Sequence, residues 1–379
     1  MTTIDETAAP SAAKHGATRG GGPKGPRFLV VQGTLPYRGL QLAAVVLVAL
    51  LLLWASGLPA FRMGQITNVF IIAIAIAGLN LVTGYTGLLS IGHSAFFGLG
   101  AYTTGILIVK YEFAPLSTIP VAIGLCFVLG LLVGLPSLRI HGLYLALVTL
   151  AVAVSFPEIV RRAEDLTGGA AGMVVRSRFL APPEWTGLVR AERGIWMFWL
   201  SAGVLAVVLL LCRNLVRSRF GIAMRSTRDN EIAAAANGIS VARTKIVAFG
   251  ISGAITGLAG SLFTMYMGAL SPDGSFTLMK SIEFITGLVL GGVATQIGPL
   301  VGAFAVVFLP YLTASYTEGP LAGVVFGVVL IVIVFLMPEG IVGRVGILAR
   351  KVVRIVPADH PRLGRAPREG PPEPAHAER

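Results

Sequence analysis

The side chains able to do chemistry gather in two places. The first is R-S-T-R-D-N-E-I-A-A-A-A-N-G, residues 225–238, a polar insert between two apolar segments. Ser226 followed three residues later by Asp229 fits a capping box, in which a hydroxyl and an acid satisfy the free N–H groups of a helix start. Asp229 and Glu231 then fall in the first turn, where the helix dipole favours negative charge. Ala233 to Ala236 propagate a helix well, and Asn237-Gly238 offers a left-handed stop. The pattern predicts a helix of about ten residues starting near Thr227, too short to be stable alone in water. One face, with Ile232, Ala235, Ala236 and Ile239, is small and apolar, and the other is charged. Such a helix rests either on its own protein and lipid headgroups or in a groove of a separate protein. Arg219, Arg225 and Arg228 stand ready to pair with acids there. This is docking chemistry.

The second place is inside the apolar runs. His93 sits in G-L-L-S-I-G-H-S-A-F-F-G-L-G, residues 87–100, and Asn68, Asn80 and Thr83 occupy the turns before it. Glycines around His93 permit broken helix and close packing, and exposed N–H groups at a half-helix start would suit a carboxylate. Each of the four is a candidate for a substrate pathway. The competing reading is that each hydrogen-bonds a neighbouring helix and fixes packing, because an amide inside a span needs a partner.

The elements that must position these groups follow from composition. Of 379 residues, 55% are apolar and 13% charged, against roughly 25% charged in soluble domains; the mean hydropathy is +0.80. The class is an all-α polytopic membrane protein. Apolar runs predict about ten transmembrane or partly re-entrant helices, near 39–58, 65–83, 92–110, 118–138, 142–160, 195–213, 245–268, 281–297, 299–316 and 320–337. The runs 281–297 and 299–316 meet in a tight Gly/Pro turn, and these two and the Gly-rich region 84–100 are candidates for half-helices. Residues 1–37 and 344–379, rich in Gly, Pro, Ala and basic side chains, read as disordered tails flanking a transmembrane domain over 38–343.

Placing the insert 214–244 in the cytoplasm puts both tails there too. Of the 30 Lys and Arg residues, 21 then lie on the cytoplasmic side, as the positive-inside rule requires. The net charge of +12 is thus explained by topology and anionic lipid and gives no reason to expect nucleic acid. Glu158 is set to pair with Arg161 or Arg162. Segment 161–194 is the longest outer loop. Cys126 and Cys212 read as small core residues, and neither a disulfide nor a metal site is expected.

Several functions are disfavoured. No G-x4-G-K-[ST] occurs, so the chain has no P-loop for ATP. Asp lies only at 5, 165, 229, 273 and 359, outside every predicted span, and the acids near membrane depth are limited to Glu158 and Glu283, both toward span ends, a scarcity that disfavours an ion-coupled carrier. G-I-S-G at 250–253 resembles a serine-protease motif only superficially. No histidine follows in a later span to act as base, and the glycines read as a packing stripe continued by Gly257 and Gly260.

E-I-A-A-A-A-N-G resembles the EAA-x3-G loop of ABC importer permeases. The blocks at 78–102, 138–161, 165–173, 289–304 and 336–343 are similar to those of branched-chain amino acid permeases of the LivM type. The resemblance implies a permease subunit of an ATP-driven importer in the cytoplasmic membrane of a bacterium, with branched-chain amino acids as the default cargo and urea, amides or aromatic acids as alternatives. It implies as partners a homologous second permease, two cytoplasmic ATPases that hydrolyse the ATP, and an extracytoplasmic binding protein, with no cofactor held by this chain. It assigns Arg225, Asp229, Asn230, Glu231, Ala234, Ala235 and Gly238 to a cytoplasmic helix coupled to the ATPases.

Overall fold

A computed structural model describes residues 28–31, 35–140, 142–314, 321–337 and 339–356. In chain order the helices are α1 (Leu35–Ser56), α2 (Ala60–Leu79), α3 (His93–Tyr111), α4 (Pro115–Gly134), α5 (Leu143–Arg162), the single turn α6 (Glu164–Thr167), α7 (Arg193–Arg217), α8 (Arg219–Asp229), α9 (Glu231–Ala236), α10 (Val241–Met267), the single turn α11 (Pro272–Ser275), α12 (Leu278–Gly291), α13 (Gly298–Ala314), α14 (Leu321–Leu336) and α15 (Gly340–Val352). A π-helical segment, Asn80–Tyr85, extends α2. Strands are short: β1 (Phe28–Val31), β2 (Met173–Val174), β3 (Ala269–Leu270) and β4 (Val353–Val356).

Each of the ten apolar runs carries a helix. Among the described residues, five segments are long and apolar enough to cross a membrane: Ala60–Tyr85, Pro115–Leu138, Leu143–Arg162, Arg190–Arg217 and Val241–Met267. Val46–Ser56 and Gly298–Leu312 are shorter apolar helices. The run 281–297 is not one helix. Helix α12 has 14 residues, about 21 Å of rise against ~30 Å of hydrocarbon. It ends at Gly291, and positive φ at Gly292 (112°) and Ala294 (57°) turns the chain into α13.

Residues 42–347 form one compact unit, and the described residues before and after them (28–31, 35–41 and 348–356) belong to another. In the second, β1 pairs in parallel with β4, from Phe28 beside Val353 to Val31 beside Val356. Residues 1–27 and 357–379, most of the two segments read as tails, lie outside the described residues. The part of the C-terminal segment that is described holds α15, where Ile341, Val345 and Leu348 recur at helical spacing, and β4.

Helix α10 is the centre of the large unit and packs against α2, α3 and α4. Small residues make this possible. A Cβ added at Gly253 would stand 2.7 Å from the Cys126 carbonyl, and at Gly257 or Gly260 it would meet Cys126 Sγ or the Phe97 carbonyl. Hydrogen bonds then tie the helices: Thr104 to Ser261 at 2.6 Å, and Thr264 Oγ1 donating to the Ala101 carbonyl at 2.9 Å. Phe276 completes the core, its ring against Phe97, Tyr102, Phe156 and Phe263 with centroids 5.3–6.4 Å apart. Over Val69–Leu79, α2 is buried all round, as expected of a helix apolar on every face. Helix α1 instead leaves Leu47, Leu50 and Trp54 each more than half exposed.

The glycine stripe gives a direct prediction. Gly260→Leu forces α3 off α10 against backbone, so its cost is expected at or above the upper end of the about 1–3 kcal/mol typical of overpacking. Size-exclusion profiles of the detergent-extracted chain would check it: a monodisperse peak for the variant refutes the packing described.

The segment between α5 and α7 is tied down by β2 pairing with β3 in antiparallel fashion. Arg161 bridges Glu158 at 2.5 Å and also Asp273, so the predicted i, i+3 pair forms and gains a distant second acid. These side chains are 36–60% exposed, and such pairs contribute little each. Arg193 donates to the carbonyls of Met265 (2.6 Å) and Tyr266 (3.0 Å), closing the C-terminal end of α10.

Candidate functional site

The insert forms two helices, and the predicted capping box at Ser226–Asp229 does not exist. Ser218 starts α8, its hydroxyl accepting the Gly221 N–H. Ser226 and Asp229 lie within α8, which runs on to Asp229. The true start of the second helix is Asn230, with φ −162° and ψ 111°, whose side chain accepts the Ala233 N–H at 3.0 Å. Asn is among the best N-caps, and it competes successfully with the hydroxyl four residues earlier. Helix α9 is therefore 6 residues long, shorter than the spacing suggested. Its stop is as predicted: Gly238 has φ +80°. Ile239 N–H donates to the Ala234 carbonyl and Gly238 N–H to that of Ala235, both at 3.0 Å, which is a Schellman closure.

The buried face also differs. Ala234 turns inward at 3% exposure, while Ala235 and Ala236 face outward and Ile232 is 84% exposed. The knob is held from behind by an ion pair the sequence did not single out. Lys245, in the first turns of α10, is 1% exposed and its Nζ lies 2.7 Å from Glu231 Oε1. A cation at such burial must have a partner. The available signal was a lysine at the very start of the apolar run 245–268.

Helix α8 seats on the body through Gly221, Met224 and Thr227. Arg228 donates to the Gly84 carbonyl at 2.7 Å, at the end of the π-helical segment of α2, where a cation meets the negative helix terminus. Arg225 reaches the Val216 carbonyl at 3.3 Å. Asp229 is exposed. Residues 225–238 thus form an elbow fixed to α2 through Arg228 and to α10 through Glu231, with an apolar tip in solvent.

The intramembrane candidates separate. His93 is 1% exposed and bonded at both ring nitrogens. Ser252 Oγ donates to the Gly78 carbonyl at 2.6 Å and so accepts from His93 Nε2 at 2.7 Å, which leaves Nδ1 to accept from Ser90 at 3.0 Å. The relay locks α3, α10 and α2 together. Asn80 grips the turn between α12 and α13: its Nδ2 donates to the Thr295 carbonyl and its Oδ1 accepts the Ala294 N–H, both at 2.9 Å. Thr83 Oγ1 donates to the Leu88 carbonyl at 3.2 Å. Asn68 differs from all three, for it lines a cleft between α2, α12 and α13, and its Oδ1 has no hydrogen-bond partner. No cluster of three or more His, Cys, Asp or Glu able to hold a metal exists among the described residues.

The permease LivM of the high-affinity branched-chain amino acid transport system of Escherichia coli (strain K12) is 29% identical over 84% of this chain and 78% of its own length. A probable LivM of Methanocaldococcus jannaschii is 26% identical over 76% and 86%, respectively. LivH of Salmonella typhimurium, a permease protein of the same kind of system, is 22% identical over 72% and 91%. No solved structure matches. A family model described as "Branched-chain amino acid transport system / permease component" matches residues 62–334; the helices from α2 to α14 lie almost wholly within those limits, and the chain belongs to that family.

Proposed function

We propose that this chain is the membrane-spanning permease subunit of an ATP-driven importer of branched-chain amino acids in a bacterial cytoplasmic membrane. A homologous second permease, two ATPases and an extracytoplasmic binding protein are its partners. The observation that carries the reading is the elbow. An apolar tip, Ile232 with Ala235 and Ala236, stands in solvent while Glu231 and Arg228 anchor its base to two core helices. Such a part passes force from a docked protein into the spans. The charge bias across the apolar runs supports a cytoplasmic location for it and for both tails. ATP is hydrolysed by the docked subunits, since this sequence has no P-loop.

Ile232→Glu tests the docking. Removing an apolar anchor and burying a charge at the centre of an interface is expected to cost about 2 kcal/mol or more, roughly a 30-fold loss of association. Co-purification with the ATPase subunits and ATP-dependent leucine uptake in proteoliposomes are the readouts. Full association and uptake in this variant would refute the elbow as the ATPase contact.

A further inference from the structure

The cleft between α2, α12 and α13 has a volume of about 400 Å³, within the range of small-molecule sites. Its lining is mixed, with apolar side chains such as Ile282, Val306 and Val307 beside the polar Asn68, Glu283 and Thr286. Glu283 is paired with Lys280, whose Nζ lies 2.9 and 3.1 Å from its two carboxylate oxygens. This pair is only 16% and 29% exposed, in an otherwise apolar helix. Ion pairs so placed lose much of their hydration and do little for stability; within membrane helices they mark solute paths. The amide oxygens of Asn68 and of Gln65, one turn before it, are buried without a partner. A buried acceptor left open costs about 1–3 kcal/mol, a cost relieved when an ammonium donates to it.

We propose that this cleft is a binding site for a zwitterion with an aliphatic side chain on its way through the permease. Lys280, which is bonded to Glu283 but is not itself one of the lining residues, turns to the carboxylate, Glu283 and the Asn68 amide take the ammonium, and Ile282, Val306 and Val307 hold the side chain. The binding exchanges one ion pair for two, so each charge keeps a partner throughout. The inference rests on the import reading above and names the residues that would meet the solute.

The test uses the assembled importer in proteoliposomes with its binding protein. Glu283→Gln and Lys280→Gln are each expected to raise the KM for leucine uptake about tenfold with a smaller change in kcat, the signature of lost ground-state binding. A pair that merely staples the first turn of α12 would lower the amount of assembled complex instead. Asn68→Cys, in a background with the buried Cys126 and Cys212 replaced by alanine, is expected to react with a cationic methanethiosulfonate and to be protected by leucine but not by urea. Unchanged KM in both glutamine variants, or labelling indifferent to leucine, overturns the site. A parent complex that accumulates no leucine on ATP overturns the import reading itself.

Discussion

Glu231→Ala is expected to loosen α9 and to cut ATP-driven uptake at least about tenfold, while Lys245→Met costs far less stability. The asymmetry follows from burial. Lys245 is 1% exposed, whereas the Glu231 side chain is 37% exposed. Removing the acid strands a buried ammonium, and breaking a buried pair in this way costs about 3–5 kcal/mol. Solvent around Glu231 screens part of that, leaving about 2–3 kcal/mol as the expected penalty. Removing the lysine leaves a carboxylate that can turn to water, and methionine refills the space of the lysine stem, so the expected cost is within about 1 kcal/mol. Thermal unfolding of the detergent-solubilised chain measures the difference. Equal Tm shifts for the two variants would show that the pair does not hold α9. Uptake should fall in both, since either change unties the elbow from α10, and membrane insertion should persist because the spans are untouched.

Asn80→Asp should destabilise more than Asn80→Ala, although it is the closer isostere. The amide donates to one backbone group of the α12–α13 turn and accepts from the next, so both of its functions are in use. Alanine leaves a buried N–H and a buried carbonyl open, at about 1–3 kcal/mol each. Aspartate keeps the acceptor but turns a second oxygen, with charge, against the Thr295 carbonyl at 3% exposure, adding the burial of an unpaired ion. Limited proteolysis in 292–297 and Tm would rank the variants. An Asp variant as stable as the parent would mean that the turn is held by something other than this amide.

Much of the molecule is local in its coding and was therefore readable from the sequence. Hydrophobic runs placed a helix at all ten expected positions, because burying or lipid-exposing an apolar stretch depends on that stretch alone. Gly238 stops α9 because only glycine takes φ +80° without steric cost. Competition between local signals was harder. Ser226 and Asn230 both look like helix starts, and the choice fell to Asn230 because α8 gains burial for Met224 and Thr227 by running through Ser226.

What remained hidden is pairing at a distance. Glu231 finds Lys245 across the turn into α10, Arg161 finds Asp273 over 112 residues, and Asn80 finds Ala294 over 214. His93 and Asn68 were equal candidates by type and depth; packing gave one a partner on each nitrogen and left the oxygen of the other open. The sequence determined that the apolar runs are helical, an outcome set within a turn or two of chain, but not every boundary: α12 stops at Gly291 and α9 starts at Asn230. The tertiary structure alone decided which polar groups are satisfied, because a buried donor or acceptor is completed only by whatever the packed helices bring within about 3 Å of it.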